Sequence, residues 1–124
     1  MNDKRPRFLA LHQIRLPLPG VVSILHRASG ALLFLSLPLM LWMLQCSLRS
    51  IETYTRLNEA LHNPLSKLFV LAVSWAFLHH FCAGIRYLAI DLKFASSLAR
   101  ARSSSRWVLL ISLAMTASIG IWLW

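Results

Sequence analysis

Three long apolar runs alternate with polar, basic connections along this chain. The runs cover residues 28–48, 65–90 and 107–124. A helix that crosses a bilayer needs about 20 mostly apolar residues, and even the shortest run, rising about 1.5 Å per residue, extends roughly 27 Å. The pattern predicts an all-α membrane protein with three transmembrane helices. They follow an interfacial segment over residues 1–27 and leave no room for a separate soluble domain.

Local signals predict where the helices begin and end. Asn63 followed by Pro64 is typical of an N-cap and a first helical residue, so the second spanning helix should begin there. Proline and glycine over residues 17–20 predict an interruption of any helix before the first span. Serines favour the N-cap, so residues 103–105 are expected to cap the third helix. The connection between the first two spans, residues 49–63, is polar.

The composition separates this chain from soluble domains. It has 124 residues, of which 57% are hydrophobic and 14% charged, whereas soluble domains carry about 25% charged residues. A net charge of +9 suits nucleic acid or a membrane surface as a partner. Because the basic residues lie between the apolar runs rather than along one face, they indicate membrane flanks and exclude nucleic acid. Cys46 and Cys82 lie isolated in apolar runs, without disulfide or metal-binding spacing.

The basic residues also predict the orientation in the membrane. They concentrate on the N-terminal side and around the second connection, as Lys4, Arg5, Arg7, Arg15 and Arg27, then Arg86, Lys93, Arg100, Arg102 and Arg106. Around the first connection, Arg49, Arg56 and Lys67 are opposed by Glu52 and Glu59. Since cytoplasmic loops carry the excess of lysine and arginine, we expect a cytoplasmic N-terminus and a periplasmic C-terminus.

The second run contains two adjacent histidines, His79 and His80. An ionisable residue at membrane depth is costly and suggests a functional site. His80 lies on a stripe of small side chains spaced by four, with Ala72, Ala76 and Gly84, where another helix or a flat macrocycle can approach the backbone. Helix arithmetic places it about 16 Å inside the end of the run, near mid-bilayer. Such a histidine is either an axial haem ligand or hydrogen-bonded to a neighbouring helix.

His79 is the competing ligand, and its own stripe, with Trp75, Ala83 and Arg86, is bulkier. Side chains of adjacent helical residues point about 100° apart, so the two histidines cannot bind one iron from opposite faces. The remaining histidines are expected to lie outside the hydrocarbon; they are His12, His26 and His62. A six-coordinate haem would therefore take its second ligand from another chain.

A polar cluster, Ser23 to Arg27, precedes the first span. Ser23 and Arg27 are one turn apart, so their hydroxyl and guanidinium share a face and can hydrogen-bond a carbonyl at the membrane surface. His26 and Arg27 can instead pair with haem propionates, because arginine suits carboxylates. The alternative is an ordinary basic interfacial anchor that binds no ligand.

Two motifs in order carry a resemblance to a known family. Residues 23–30 match S-x-x-H-R-x-S-G, and the second motif, H-x-x-x-G-x-R-x-x-x-x-D, is present as His80, Gly84, Arg86 and Asp91. Within a basic, three-span chain, this spacing resembles the cytochrome b membrane anchor of succinate dehydrogenase, respiratory complex II. The resemblance covers nearly the whole chain. Tyr87 departs from it, because histidine is common there in the family.

The resemblance implies site residues. His80 would be the axial haem b ligand, which settles the choice between the two adjacent histidines. Ser23 and Arg27 would contribute to the ubiquinone site. His26 and Arg27 would lie near the haem propionates, and Asp91 would help proton delivery to the quinone.

The resemblance also implies partners. They are a second haem-bearing anchor that shares the haem b, an iron–sulfur subunit, a flavoprotein subunit that oxidises succinate, and the lipid bilayer of the bacterial inner membrane. This chain would be the anchor of a succinate dehydrogenase (quinone), without a dicarboxylate site of its own. Ser112, Thr116 and Gly120 offer a close-packing face for the second anchor. The alternatives are a fumarate reductase anchor that uses menaquinone, and a non-catalytic helical scaffold or transporter.

Overall fold

The computed structural model describes residues 16–94 and 97–124 of the chain. They form four helices, α1 (Leu18–Arg49), α2 (Ile51–Leu61), α3 (Pro64–Asp91) and α4 (Leu98–Leu123), and no strand lies within these ranges. By length and composition, α1, α3 and α4 are each able to cross a membrane. The all-α architecture with three candidate spanning helices is therefore confirmed. Of the expected interfacial segment, residues 1–15, including His12, lie outside the described residues.

The first helix begins earlier than the proline and glycine signals predict. Pro17 is its extended N-cap, and Pro19 and Gly20 lie in its first turn. The chain is extended at Pro17, but the expected interruption at Pro19 and Gly20 is wrong, because a proline at the start of a helix lacks only an N–H that would have no helical partner. The helix also continues through Pro38, as spanning helices can where neighbouring groups satisfy the freed carbonyl.

The polar connection between the first two spans is itself helical. At the start of α2, the Ser50 hydroxyl accepts from the Thr53 N–H at 3.2 Å, and the Thr53 hydroxyl accepts from the Ser50 N–H at 3.2 Å. This reciprocal capping satisfies two donors that a helix start leaves open. The Thr53 hydroxyl also donates to the Cys46 carbonyl at 2.7 Å. The cap therefore ties α2 to the end of α1.

The structure agrees with the predicted start of α3 but not with that of α4. Asn63 caps α3 by accepting from the Leu65 N–H at 2.9 Å, with Pro64 as the first helical residue, so that prediction is confirmed. The expectation that residues 103–105 cap the third spanning helix is wrong. α4 begins at Leu98 behind the N-cap Ser97, and the three serines lie inside it, where a serine hydroxyl can bond a carbonyl of the preceding turn.

Small residues line the interior where α1, α3 and α4 meet. The buried set comprises Val22, Ser29, Ser36, Ala76, Ala83, Ser105, Val108 and Ser112, together with Leu78, His79 and Arg86. Small side chains allow helix backbones to approach closely in a membrane. Ser112 is fully buried, and a Cβ added to Gly120 would lie 3.5 Å from Leu71 of α3. Ser112 and Gly120 therefore pack against the chain's own helices, whereas Thr116 is half-exposed, so contact with a second anchor stays a prediction at Thr116.

Candidate functional site

His80 is hydrogen-bonded to the neighbouring helix α1 through one ring nitrogen. Its Nδ1 lies 3.0 Å from the His26 carbonyl oxygen and 3.4 Å from the Ser29 hydroxyl. Since a carbonyl can only accept, Nδ1 carries the proton and donates it. In the neutral imidazole, the other nitrogen, Nε2, then has no proton and keeps its lone pair.

The lone pair of His80 Nε2 is available to a ligand. Among the described residues Nε2 has no hydrogen-bond partner, yet it is not enclosed by them, whereas both nitrogens of His79 are enclosed without a partner. Histidines that bind metals usually donate their other ring N–H to a carbonyl or carboxylate, which fixes the ring and raises its basicity. His80 has this arrangement and fits an axial haem ligand. A haem ligand and a hydrogen bond to a neighbouring helix are compatible roles, because each nitrogen serves one of them.

His26 lies beside His80 rather than away from it. The two rings stack with centroids 4.2 Å apart and planes 10° apart, and the His26 ring also lies 5.1 Å from that of Tyr87. A Cβ added to Gly84 would lie 3.9 Å from His26 Nε2. His26 therefore fills part of the groove of small residues, and the expectations that His80 lies near mid-bilayer and His26 outside the hydrocarbon cannot both hold.

A second ligand to an iron bound by His80 would have to come from elsewhere. Two imidazoles on opposite sides of one iron have ring centres roughly 6 Å apart, because each bound nitrogen lies about 2 Å from the metal. His26 and His80 are stacked face to face at 4.2 Å. This geometry, rather than membrane depth, excludes His26 as the partner of His80 on the same iron.

His79 points into the interior of the bundle. Its side chain is 0% exposed, and its ring lies 5.4 Å from that of Trp75. A macrocycle cannot reach its nitrogens without displacing the surrounding helices, since protein interiors are close-packed. His79 therefore does not present an open ligand position.

Arg86 binds α4 instead of facing the histidines. Its Nε donates to the Ser104 hydroxyl at 3.0 Å and its Nη2 to the Ala101 carbonyl at 3.3 Å. The guanidinium carbon lies 5.3 Å from the centre of the Tyr87 ring. The Tyr87 hydroxyl is enclosed and has no hydrogen-bond partner within residues 16–94 and 97–124. The charged donors of this arginine thus hold two helices together.

Ser23, Arg27 and Asp91 lie towards the same end of the bundle. Ser23 is half-buried, the other two are exposed, and the described residues provide none of their side chains with a hydrogen bond. Gly30 lies against His80 on the antiparallel helix, so Ser23 is level with about residue 87. Asp91 lies about 6 Å farther along the axis, at 1.5 Å per residue. The two sequence motifs therefore converge on one end of the bundle.

Comparison with known proteins identifies the family. A family model described as the succinate dehydrogenase/fumarate reductase transmembrane subunit matches residues 1–119. The succinate dehydrogenase cytochrome b556 subunit of Coxiella burnetii is 40% identical over 125 residues, which cover 100% of each chain. The chain belongs to this family of succinate dehydrogenase membrane-anchor subunits.

More distant relatives carry the same description. The succinate dehydrogenase cytochrome b556 subunit of Rickettsia felis is 29% identical over 92% of this chain and 89% of its own. That of Paracoccus denitrificans is 27% identical over 85% of this chain and 81% of its own. The likeness therefore extends over most of the length of both proteins in each pair.

Ser29 and Gly30 of this anchor subunit lie next to His80, although the sequence motifs assigned neither of them a role of its own. They share a face of α1 with His26, being three and four residues farther along. That spacing is the signal that could have grouped them with the site. By contrast, an apolar cleft of about 620 Å³ lies towards the opposite end, where Leu39, Trp42, Leu65 and Phe69 are among its lining residues. It contains none of the predicted site residues.

Proposed function

We propose that this anchor subunit holds haem b through His80 and contributes to ubiquinone reduction in a succinate:ubiquinone oxidoreductase. The observation that carries the proposal is the state of the His80 ring. Its Nδ1 is bonded to α1 at 3.0 Å, while Nε2 has no partner among the described residues and is not enclosed. Bound haem b would supply a one-electron redox centre at this position.

The quinone site would lie at the end of the bundle where Ser23, Arg27 and Asp91 converge. The Ser23 hydroxyl and the Arg27 guanidinium donate hydrogen bonds to a quinone carbonyl, which favours the reduced, more negative oxygen. Asp91 is exposed at the end of α3, where it exchanges protons with water and passes them inward. Reduction to quinol consumes two electrons and two protons, and the electrons come from the partner subunits.

The partners of this protein would follow from its family. Succinate dehydrogenase anchors hold an iron–sulfur subunit and a flavoprotein on the membrane, and a second anchor would supply the other axial ligand. We propose that the chain crosses the bacterial inner membrane with its N-terminus in the cytoplasm, as the excess of basic residues on that side indicates. His26 and Arg27 would then lie near the haem propionates. The stacking of the His26 ring on the His80 ring supports this placement.

The experiment is purification of the tagged chain from its native membranes, with identification of the co-purified subunits and a reduced-minus-oxidised spectrum. We expect a flavoprotein, an iron–sulfur protein and a second anchor, with a b-type spectrum. The His80→Ala complex should lose that spectrum, whereas His79→Leu, in the same turn, should keep it. A complex that retains its b-type spectrum without His80 would contradict the ligand assignment.

A further inference from the structure

The edge of the His80 ring lies directly on the backbone of Gly30. A Cβ added to Gly30 would lie 2.9 Å from Cε1 of the ring, 3.2 Å from Nδ1 and 3.9 Å from Nε2. The first of these distances is too short for two carbon atoms, whose contacts are optimal at about 3.5–4.0 Å. Any side chain at position 30 would therefore have to push the imidazole away from α1.

The same turn of α1 also fixes the ring by hydrogen bonds. Ser29 is 1% exposed, and its hydroxyl donates to the His26 carbonyl at 2.9 Å while lying 3.4 Å from His80 Nδ1. The His26 carbonyl accepts from Nδ1 at 3.0 Å. In addition, the His26 ring covers one face of the imidazole at 4.2 Å. Edge, face and donor nitrogen are each held by residues of a single turn.

We infer that Gly30 and Ser29 are positioning residues, which seat the His80 imidazole against α1 and fix its plane, so that Nε2 is the ring nitrogen that α1 does not bind. Gly30 acts by leaving room for the ring edge, and Ser29 acts through the carbonyl that binds Nδ1. The inference rests on the proposed role of His80 as a haem ligand. It adds that helix α1 controls how strongly and at what rotation the imidazole binds iron.

The first test is Gly30→Ala in the purified complex. The added methyl group should shift the ring, so that haem is released to excess apomyoglobin about 10-fold faster or more, as expected when a metal ligand loses its support. The low-spin EPR signal of the oxidised haem should also change, because it depends on the imidazole plane. The matched control is Gly20→Ala in the same helix, where an added Cβ meets its nearest atom at 3.7 Å. That variant should leave both readouts unchanged.

The double variant Gly30→Ala with His80→Ala distinguishes a specific contact between Gly30 and the His80 ring from a general packing requirement at position 30. If Gly30→Ala lowers the amount of assembled complex, the loss should shrink when His80→Ala is added, because the methyl group then has room. Such coupling between two changes indicates a direct contact. An equal loss of complex with and without the His80 ring would overturn the inference. So would a Gly30→Ala complex with wild-type haem release and EPR signal.

Ser29→Ala tests the hydrogen bonds that hold His80 Nδ1, and it adds no atoms near the ring. It should assemble normally, keep its haem and show a shifted haem reduction potential, since hydrogen bonds around a ligand tune the metal. An unchanged potential would remove Ser29 from the inference. Failure of the proposed function gives a different result. If the His80→Ala complex keeps a b-type spectrum, the assignment of His80 as the ligand is wrong. If His80→Ala lacks haem but Gly30→Ala behaves as the wild type, only the positioning role is wrong.

Discussion

At the scale of the residue, one hydrogen bond divides two neighbouring histidines. His80 donates Nδ1–H to the His26 carbonyl at 3.0 Å and keeps Nε2 open, whereas His79 is enclosed against Trp75 with neither nitrogen bonded in the described part of the chain. Sequence spacing alone could identify both histidines as candidate ligands, but it could not show which ring nitrogens are bonded or enclosed. Which nitrogen is free depends on a carbonyl of α1, which no pattern within α3 encodes.

Substitutions of Ser23 and Arg27 test the proposed quinone site. Ser23→Ala and Arg27→Leu should each slow quinone reduction, while succinate oxidation with an artificial acceptor continues, because neither side chain lies in the buried interior. Losing the charged Arg27 donor should weaken binding by about 1.5–3 kcal/mol, or roughly 10- to 150-fold, and losing the neutral Ser23 hydroxyl by about 0.5–1.5 kcal/mol, or roughly 2- to 12-fold. Steady-state assays with the two acceptors measure this, and Arg102→Leu at another exposed position serves as the control. An equal loss of both activities would indicate defective assembly instead.

At the scale of the element, α3 is fastened to α4 near both of its ends by basic side chains. Near its start, Lys67 donates to the Leu123 carbonyl at 2.9 Å and lies 5.2 Å from the Trp124 ring centre. Near its end, Arg86 donates to Ser104 and to the Ala101 carbonyl. Basic residues that the sequence presents as membrane flanks therefore also satisfy carbonyls and hydroxyls of the adjacent helix.

Arg86→Ala gives the prediction for this pair of helices. The substitution removes two hydrogen bonds made by an arginine that is 7% exposed, so it should destabilise the subunit by about 1.5–3 kcal/mol. The measurement is the thermal midpoint at which the detergent-solubilised complex dissociates, with the exposed Arg102→Ala as the matched control. Midpoints that fall equally in the two variants would show that Arg86 does not fasten α3 to α4.

At the scale of the whole molecule, the spans were predictable and their contacts were not. Apolar length predicts three spanning helices because bilayer thickness sets it. Ser112 is buried inside the chain, and a Cβ added to Gly120 would lie against Leu71 of α3. The periodicity of the stripe identified a close-packing face but could not name its partner. Likewise, α2 begins at a capping box and α1 begins at Leu18 with prolines in and before its first turn, and hydropathy detects neither signal. The two motifs lie at one end of the bundle because α1 and α3 are antiparallel neighbours.

Binding of haem iron by His80 Nε2 is tested more directly by replacing the ligand than by deleting it. In His80→Met, a thioether in place of the imidazole should raise the haem reduction potential, as methionine ligation does in cytochromes c. The matched His79→Met variant should keep the wild-type potential. Redox titration of both purified complexes makes the comparison. A raised potential, or loss of haem, confined to His80→Met would support iron binding by His80, and a wild-type potential in that variant would contradict it.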